Sequence, residues 1–360
     1  MKKRFIEAVL IVLLSVSLRT WSEPIRIGAI LPVTGNNGIT GQNMRDGMQL
    51  AVEEINKRGG VNGNRIEIVL EDSKSDPQAA VAAFARMESG RPPLFYVSFV
   101  SSIGMALAPL AEDKHVVLAG LVTAARDFTL GREWVFRYWP LGQAYVAPLL
   151  HILQDLKAKK LGILYQNDEF GVEQYQLMSR QYADMGGSVE AARVEMKDVD
   201  FRSKIASLKN QDAIYAAFTG NLLSVALKQI KESGYPGSVL SPVGAANPAL
   251  FDLPELDGVY VTAPIIHNPN YLYAKDAGDK FVSRYKKPFD QWAANGYDFI
   301  RLVSGLLEDR QITRQGVRDL LAGGFEYSGV FGSLKVKAGG HDFSFQLYPA
   351  QVVNGALKYR

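Results

Sequence analysis

At 360 residues, with 47% apolar and 21% charged residues, the chain has the makeup of a soluble globular protein long enough for two domains with sizeable cores. Cysteine is absent, which excludes disulfide frameworks, thiolate metal sites, cysteine nucleophiles and a lipid-modified N-terminal cysteine. The formal net charge of +3 carries no case for nucleic acid: residues 1–22 hold Lys2, Lys3, Arg4 and Arg19 against Glu7, so the rest of the chain is formally neutral.

The first element in chain order is a leader. Three basic residues precede the uncharged run Ala8–Leu18, which is shorter than the roughly 20 residues a bilayer span needs. A basic start, a short apolar core and small residues near the exit describe a signal peptide. Cleavage is expected after Ser22, which predicts an exported, unlipidated protein of the bacterial periplasm.

Behind the leader, Ile25–Leu31 reads as a strand followed by a Gly-rich turn. Met44, Met48, Ala51, Val52 and Ile55 recur on one face of a 3.6-residue helix, and Gly59-Gly60 supplies the stop. Ile66, Ile68 and Leu70 alternate as a second strand. Asp76 followed by Pro77 is a cap and a first helical residue. Strands are predicted at 94–99 and 116–119, with a helix over 102–113 between them.

The series starts again after Pro140: strand 161–166, helix 171–187, strand 189–194, helix 201–209, strand 213–218, helix 222–234 and strand 238–242. Two runs of alternating strands and helices predict parallel sheets covered on both faces, hence an α/β protein of two lobes. The tail from Tyr327 to Arg360 reads instead as short antiparallel strands and hairpins near the lobe junction. The aromatic segment Phe136–Pro140 is expected to be the first crossover between lobes.

Motifs for chemistry are mostly missing. His115, His151, His267 and His341 stand in no metal-ligand spacing, and HExxH, Walker A, GxSxG and strand-linked GxGxxG patterns are absent. Gly60-Val61-Asn62-Gly63 follows a helix and enters a strand, the wrong context for a phosphate loop. Glu53-Glu54 and Glu71-Asp72 read as solvated surface, although a carboxylate-pair hydrolase can assemble its groups from distant segments. The segment Val97–Gly104 stands out: a buried strand gives way to a helix at Ser101-Ser102. Helix N-termini present unpaired amides and a positive dipole, and doubly wound sheets bind ligands beyond the carboxyl ends of their strands.

With these residues in place, the chain resembles the periplasmic binding proteins of branched-chain amino-acid (Leu/Ile/Val) ABC transporters, whose relatives include amide- and urea-binding proteins. The resemblance covers residues 25–360. It rests on GAILPVTG at 28–35, the block Ala51–Val81, Ser101-Ser102, Asn167–Gly171, Asp200-Phe201, Gln229–Gly234, Tyr297-Asp298 and the closing Val352–Tyr359. It implies the type I fold: two Rossmann-like lobes with parallel sheets, three crossovers, and a ligand cleft that closes by hinge motion. The expected division is 1–22 signal peptide, 23–138 plus 266–327 first lobe, and 139–265 plus 328–360 second lobe. The implied role is capture of a small molecule, with no cofactor and no enzymatic activity, by a monomer that delivers its ligand to a membrane ABC permease. A sensor subunit that presents ligand to a membrane kinase or chemoreceptor is the alternative.

The resemblance also implies a site. Ser101 and Ser102 match the helix-start residues that bind the ligand's carboxylate. Thr123 or Ala124 falls at a threonine that touches carboxylate and amine. Phe170, Thr219 and Thr40 stand where amino-acid binders carry tyrosines. Val243, in SPVGAAN, replaces the glutamate that pairs with the ligand's ammonium. Burying an ammonium without a counter-charge costs several kcal/mol, so the expected ligand is polar or anionic with an apolar body: an amide, a short carboxylate or an aromatic acid. Asp127 or Asp168 is a substitute partner for an ammonium, and Arg126 is a nearby cation.

Overall fold

The computed structural model describes residues 23–360; the expected signal peptide lies outside them. The first lobe begins with β1 (Ile25–Leu31), α1 (Gly38–Lys57), β2 (Ile66–Asp72), α2 (Pro77–Ser89), β3 (Phe95–Ser98), α3 (Ser101–Asp113), β4 (Leu118–Gly120) and β5 (Val135–Tyr138). Local chemistry explains the boundaries. Met44, Met48, Ala51, Val52 and Ile55 are all buried along α1, and the Asp76 carboxylate accepts the Ala79 amide at 2.7 Å to start α2. The sheet runs β2-β1-β3-β4-β5 in parallel. On the edge strand β2 the alternation fades outward: Ile66 is buried while Leu70 is exposed.

The second lobe repeats the pattern with α4 (Gly142–Asp155), β6 (Lys160–Gln166), α5 (Glu169–Asp184), β7 (Ser188–Val194), α6 (Arg202–Ser207), β8 (Ala213–Ala217), α7 (Gly220–Glu232), β9 (Ser238–Ser241) and β10 (Tyr260–Pro264). Its sheet is ordered β7-β6-β8-β9-β10 and continues through β14 (Leu347–Val353) and β15 (Ala356–Tyr359), both antiparallel. Along β8, Ile214 and Ala216 enter one apolar cluster while Ala213, Tyr215 and Ala217 enter another. That two-residue period is what a strand covered on both faces requires.

Between β10 and β14 the chain returns to the first lobe as α8 (Lys275–Tyr285), α9 (Gln291–Leu306), α10 (Arg314–Ala322), the hairpin β11 (Phe325–Gly329)–β12 (Gly332–Val336), and β13 (Asp342–Phe343). Helix α9 lies against α1 so closely that a Cβ on Gly47 would sit 2.0 Å from the Ala293 carbonyl oxygen.

The chain thus passes between sheets at 139–141, 265–274 and 344–346. Two expectations are corrected. Phe136–Tyr138 is the end of strand β5, so the first passage starts only at Trp139. The third passage falls at 344–346 rather than at 327–328, because β13 pairs in parallel with β5 (Asp342 opposite Arg137, Phe343 opposite Tyr138) and so belongs to the first sheet. The tail's hairpin pattern shows that strands form; it carries nothing about which sheet accepts them.

Candidate functional site

Both sheets follow the doubly wound order 2-1-3-4-5, in which the direction of winding reverses between the first and third strands. In the first lobe that point lies between β1 and β3, and in the second between β6 and β8. The loops leaving those four strands face each other across one cavity. Asn36, Asn37, Ile39 and Thr40 follow β1; Phe99, Val100 and Ser101 follow β3; Asp168 and Phe170 follow β6; Phe218, Thr219 and Asn221 follow β8. Val243 and Asn247 after β9, Trp139 at the first passage, Tyr145 in the first turn of α4, and Trp292 at the start of α9 complete the walls. The cavity volume is about 90 Å³, room for a few waters or one compact organic molecule.

Six aromatic side chains (Phe99, Trp139, Tyr145, Phe170, Phe218 and Trp292) line it, and among the described residues Asp168 is the sole acidic or basic side chain that does. The Asp168 carboxylate is already occupied as the N-cap of α5, accepting the Gly171 amide at 2.8 Å and the Gln166 side-chain amide at 2.6 Å. Burial outweighs these bonds and pushes its pKa up to about 6.

The start of α3 is built differently from that of α5. Its N-cap, Val100, has no side-chain oxygen to offer and sits at φ 59°, ψ 158°, a region that L residues with branched Cβ atoms avoid at a cost of about 1–3 kcal/mol. The Val100 carbonyl is fixed by the Gly104 amide at 3.0 Å and the Thr123 hydroxyl at 3.3 Å. Next in the chain, the buried Ser101 hydroxyl accepts two amides, from Ala124 and Ala125, both at 3.2 Å. A hydroxyl has two lone pairs and one hydrogen. With both lone pairs occupied, Ser101 faces the cavity as a donor only. Tyr145 is similar: its oxygen accepts the Trp139 indole N–H, leaving its own hydrogen for a ligand acceptor.

The cavity is closed by contacts between lobes. The Asn36 side chain donates to the Thr219 carbonyl at 3.1 Å and accepts the Leu222 amide at 3.1 Å, and its backbone carbonyl accepts the Asn221 amide at 2.9 Å. Helix α7 has no cap from its own side chain; an asparagine of the opposite lobe supplies one. Gln291, at the start of α9, donates to the Val243 carbonyl at 2.9 Å while its carbonyl oxygen meets His267 Nε2 at 2.9 Å. Burial pushes the His267 pKa down to about 4, so the ring stays neutral at this junction.

Of the residues expected at the ligand, Ser101, Phe170, Thr219, Val243 and Thr40 line the cavity, whereas Ser102, Thr123 and Ala124 do not. Thr123 is fully buried and turned toward Val100, with its side chain filling the space above Gly104 and Gly120. Ala124 acts through its backbone, by donating to Ser101. Arg126 and Asp127 pair with each other at 3.0 Å on the surface, outside the cavity. The sequence reading did not assign Asn36, Phe99, Trp139, Tyr145, Phe218 or Trp292 to the ligand site. Trp292 had one available signal, the capping carboxylate of Asp290 that starts α9 by accepting the Ala293 amide at 2.9 Å; Trp139 had another, its place in the aromatic segment expected to cross between lobes. Among the described residues no group of three or more His, Asp or Glu side chains is placed to hold a metal ion, and no helix is long and apolar enough to cross a membrane.

Comparison with known proteins agrees with this architecture. The model of a family described as periplasmic binding protein matches residues 24–356. The leucine-, isoleucine-, valine-, threonine- and alanine-binding protein of Pseudomonas aeruginosa is 28% identical over 232 residues, 63% of this chain and 62% of that protein; the match spans less than two thirds of that relative. A Leu/Ile/Val-binding protein homolog of Brucella melitensis is 27% identical over 297 residues, 79% of this chain and 78% of the relative. Among solved structures, a leucine-binding protein from Thermotoga maritima superposes with a TM-score of 0.85 at 23% identity, covering 93% of this chain and 97% of that one. A solute-binding protein of an ABC transporter from R. palustris, in complex with benzoate, does so with a TM-score of 0.86 at 18% identity, covering 93% and 95%. At such identities the structural likeness establishes the fold. With the family model matched over nearly its whole described length, the chain belongs to the periplasmic binding protein family.

Proposed function

We propose that this protein captures a small carboxylate with an apolar, ring-sized body in the periplasm and delivers it to a membrane ABC permease. The observation that carries this reading is the pairing, in one cavity, of six aromatic walls with a serine whose hydroxyl can only donate. A donor at the uncapped start of α3 suits an anionic oxygen. The aromatic walls suit a flat apolar body.

A zwitterionic amino acid fits less well. Val243 offers its ammonium no charge, and the Asp168 carboxylate, with about half of its acceptor sites already taken, is tied to the start of α5 by Gly171 and Gln166. An ammonium carries three donors that must all be paired once buried. The benzoate complex of the R. palustris protein shows that a relative of this fold holds an aromatic carboxylate.

A thermal-shift panel of leucine, isoleucine, acetamide, urea, butyrate, benzoate and hydroxybenzoates tests the reading. A ligand at about 100 times its Kd adds ~2.7 kcal/mol, so a binder registers clearly. The carboxylates with ring-sized bodies are expected to give the largest shifts. Uniform silence, or a strongest response from leucine, overturns the reading. Co-purification with permease subunits from membranes supports delivery for transport; co-purification with a kinase or chemoreceptor would replace transport by sensing.

A further inference from the structure

Arg137, in β5, is fully buried behind the cavity and does not line it. Its Nη1 donates to the Ala124 carbonyl at 3.0 Å and its Nη2 to the Ala125 carbonyl at 2.7 Å. The Ala124 carbonyl and the Ala125 N–H belong to one peptide group, and that N–H donates to Ser101 Oγ at 3.2 Å. The guanidinium, a single peptide unit and the Ser101 hydroxyl therefore form a continuous chain of donors that ends in the cavity. The Gly142 amide at the start of α4 shares the Ala124 carbonyl at 3.2 Å, adding a second donor at the same end. On its far side Arg137 Nε meets the Asp342 carboxylate at 3.2 Å.

We propose that Arg137 is the positioning residue that makes this cavity a carboxylate site: its charge acts through the Ala124–Ala125 peptide to strengthen Ser101 as a donor. Hydrogen bonds in a chain polarise one another, more so where water is excluded, and bonds to a charged partner are roughly twice as strong as neutral ones. The arrangement places a cation at one remove from the ligand. It favours an anionic oxygen over a neutral one without presenting a basic side chain whose own hydration would have to be stripped. Asp342 tempers that charge from behind, as does Glu173, whose Oε1 accepts the Arg126 amide at 3.1 Å from the opposite lobe.

This inference rests on the proposed carboxylate reading and adds the source of its selectivity. The test measures benzoate and benzamide, a near-isosteric anion and neutral pair, by calorimetry on the wild type, Arg137→Gln and Asp342→Asn. The expected wild type prefers benzoate. Arg137→Gln lowers the benzoate-to-benzamide affinity ratio by about tenfold, and Asp342→Asn, a milder change at a half-exposed position, raises it. A merely structural role for Arg137 would weaken both ligands alike and leave the ratio unchanged. Ratios unchanged in both variants overturn the role of Arg137 and leave the carboxylate reading standing. A wild type that binds benzamide as tightly as benzoate, or binds neither, overturns that reading and this inference with it.

Discussion

The backbone carbonyl of Asn36 and the Cα of Gly220 meet across the cleft so closely that a Cβ on Gly220 would lie 2.2 Å from the Asn36 oxygen. Gly220 also has φ 57°, so both contact and conformation select glycine. Gly220→Ala is expected to hold the lobes apart and weaken ligand binding at least tenfold, with little change in the fold of either lobe. Small-angle scattering in the presence of ligand should show a larger radius of gyration than for the wild type. An unchanged radius and unchanged affinity would mean that this contact does not govern closure.

Asn36→Ala removes two side-chain bonds at the start of helix α7, one to the Thr219 carbonyl just before it and one from the Leu222 amide. At about 1 kcal/mol each, the closed form should lose on the order of 2 kcal/mol, or roughly 30-fold in apparent affinity. The effect should appear mainly as faster ligand release in stopped-flow measurements.

Ser101→Ala is expected to reduce carboxylate affinity by about 10- to 100-fold, the loss of a hydrogen bond to a charged partner. The fold should be affected as well, because the hydroxyl also satisfies the Ala124 and Ala125 amides. A destabilisation of about 1–3 kcal/mol should accompany the binding loss, visible as a lower melting temperature without ligand. A variant with wild-type affinity would remove Ser101 from the site.

Val243→Glu places a carboxylate at a position 5% exposed, in a cavity that already contains Asp168. Binding of a carboxylate ligand should fall below detection. Gain of leucine binding in this variant would show that position 243 faces an ammonium when one is present. If the native ligand binds Val243→Glu unchanged, this position does not face it.

Asp290 caps α9 from a fully buried position, and burial pushes its pKa up to about 6 against the bonds from Ala293 and Asn43. An unfolded aspartate ionises near 3.8. Folding therefore penalises the charged form: the penalty is absent below about pH 4 and complete above about pH 7. Asp290→Asn keeps the capping oxygen but turns the oxygen that accepts from Asn43 into a donor. Its stability relative to wild type should therefore rise between pH 4 and pH 8, by at most ~3 kcal/mol. Urea melts across that range measure it, and a pH-independent difference would rule out titration of Asp290 as its source.

Much of the fold was legible because it is local. The helical face of Met44, Met48, Ala51, Val52 and Ile55 and the Asp76-Pro77 start need only neighbouring residues to be recognised. The Asn354-Gly355 turn of the β14–β15 hairpin, with φ 49° and 74°, is likewise written in the dipeptide that makes it. The region from 265 to 326, and the strand at 342–343, resisted the same reading. Helix α9 is buried nearly all round, with Trp292–Ile300 all inaccessible, so it shows no polar stripe to set its period. Strand β13 has two residues and is defined only by its partner β5.

By itself the sequence determined the alternation of strands and helices, the two-lobed plan, and the presence of Ser101 at a helix start and of valine rather than glutamate at 243. Each of these depends on residue type and on spacings within one or two turns. Tertiary structure alone decided that Trp139, Tyr145 and Trp292 share a cavity with Ser101, that Asn36 caps a helix of the other lobe, and that Arg137 stands behind the serine. Those relationships join residues from 36 to 191 positions apart in the chain. They exist only because two sheets bring their switch points together, and no local propensity encodes that meeting.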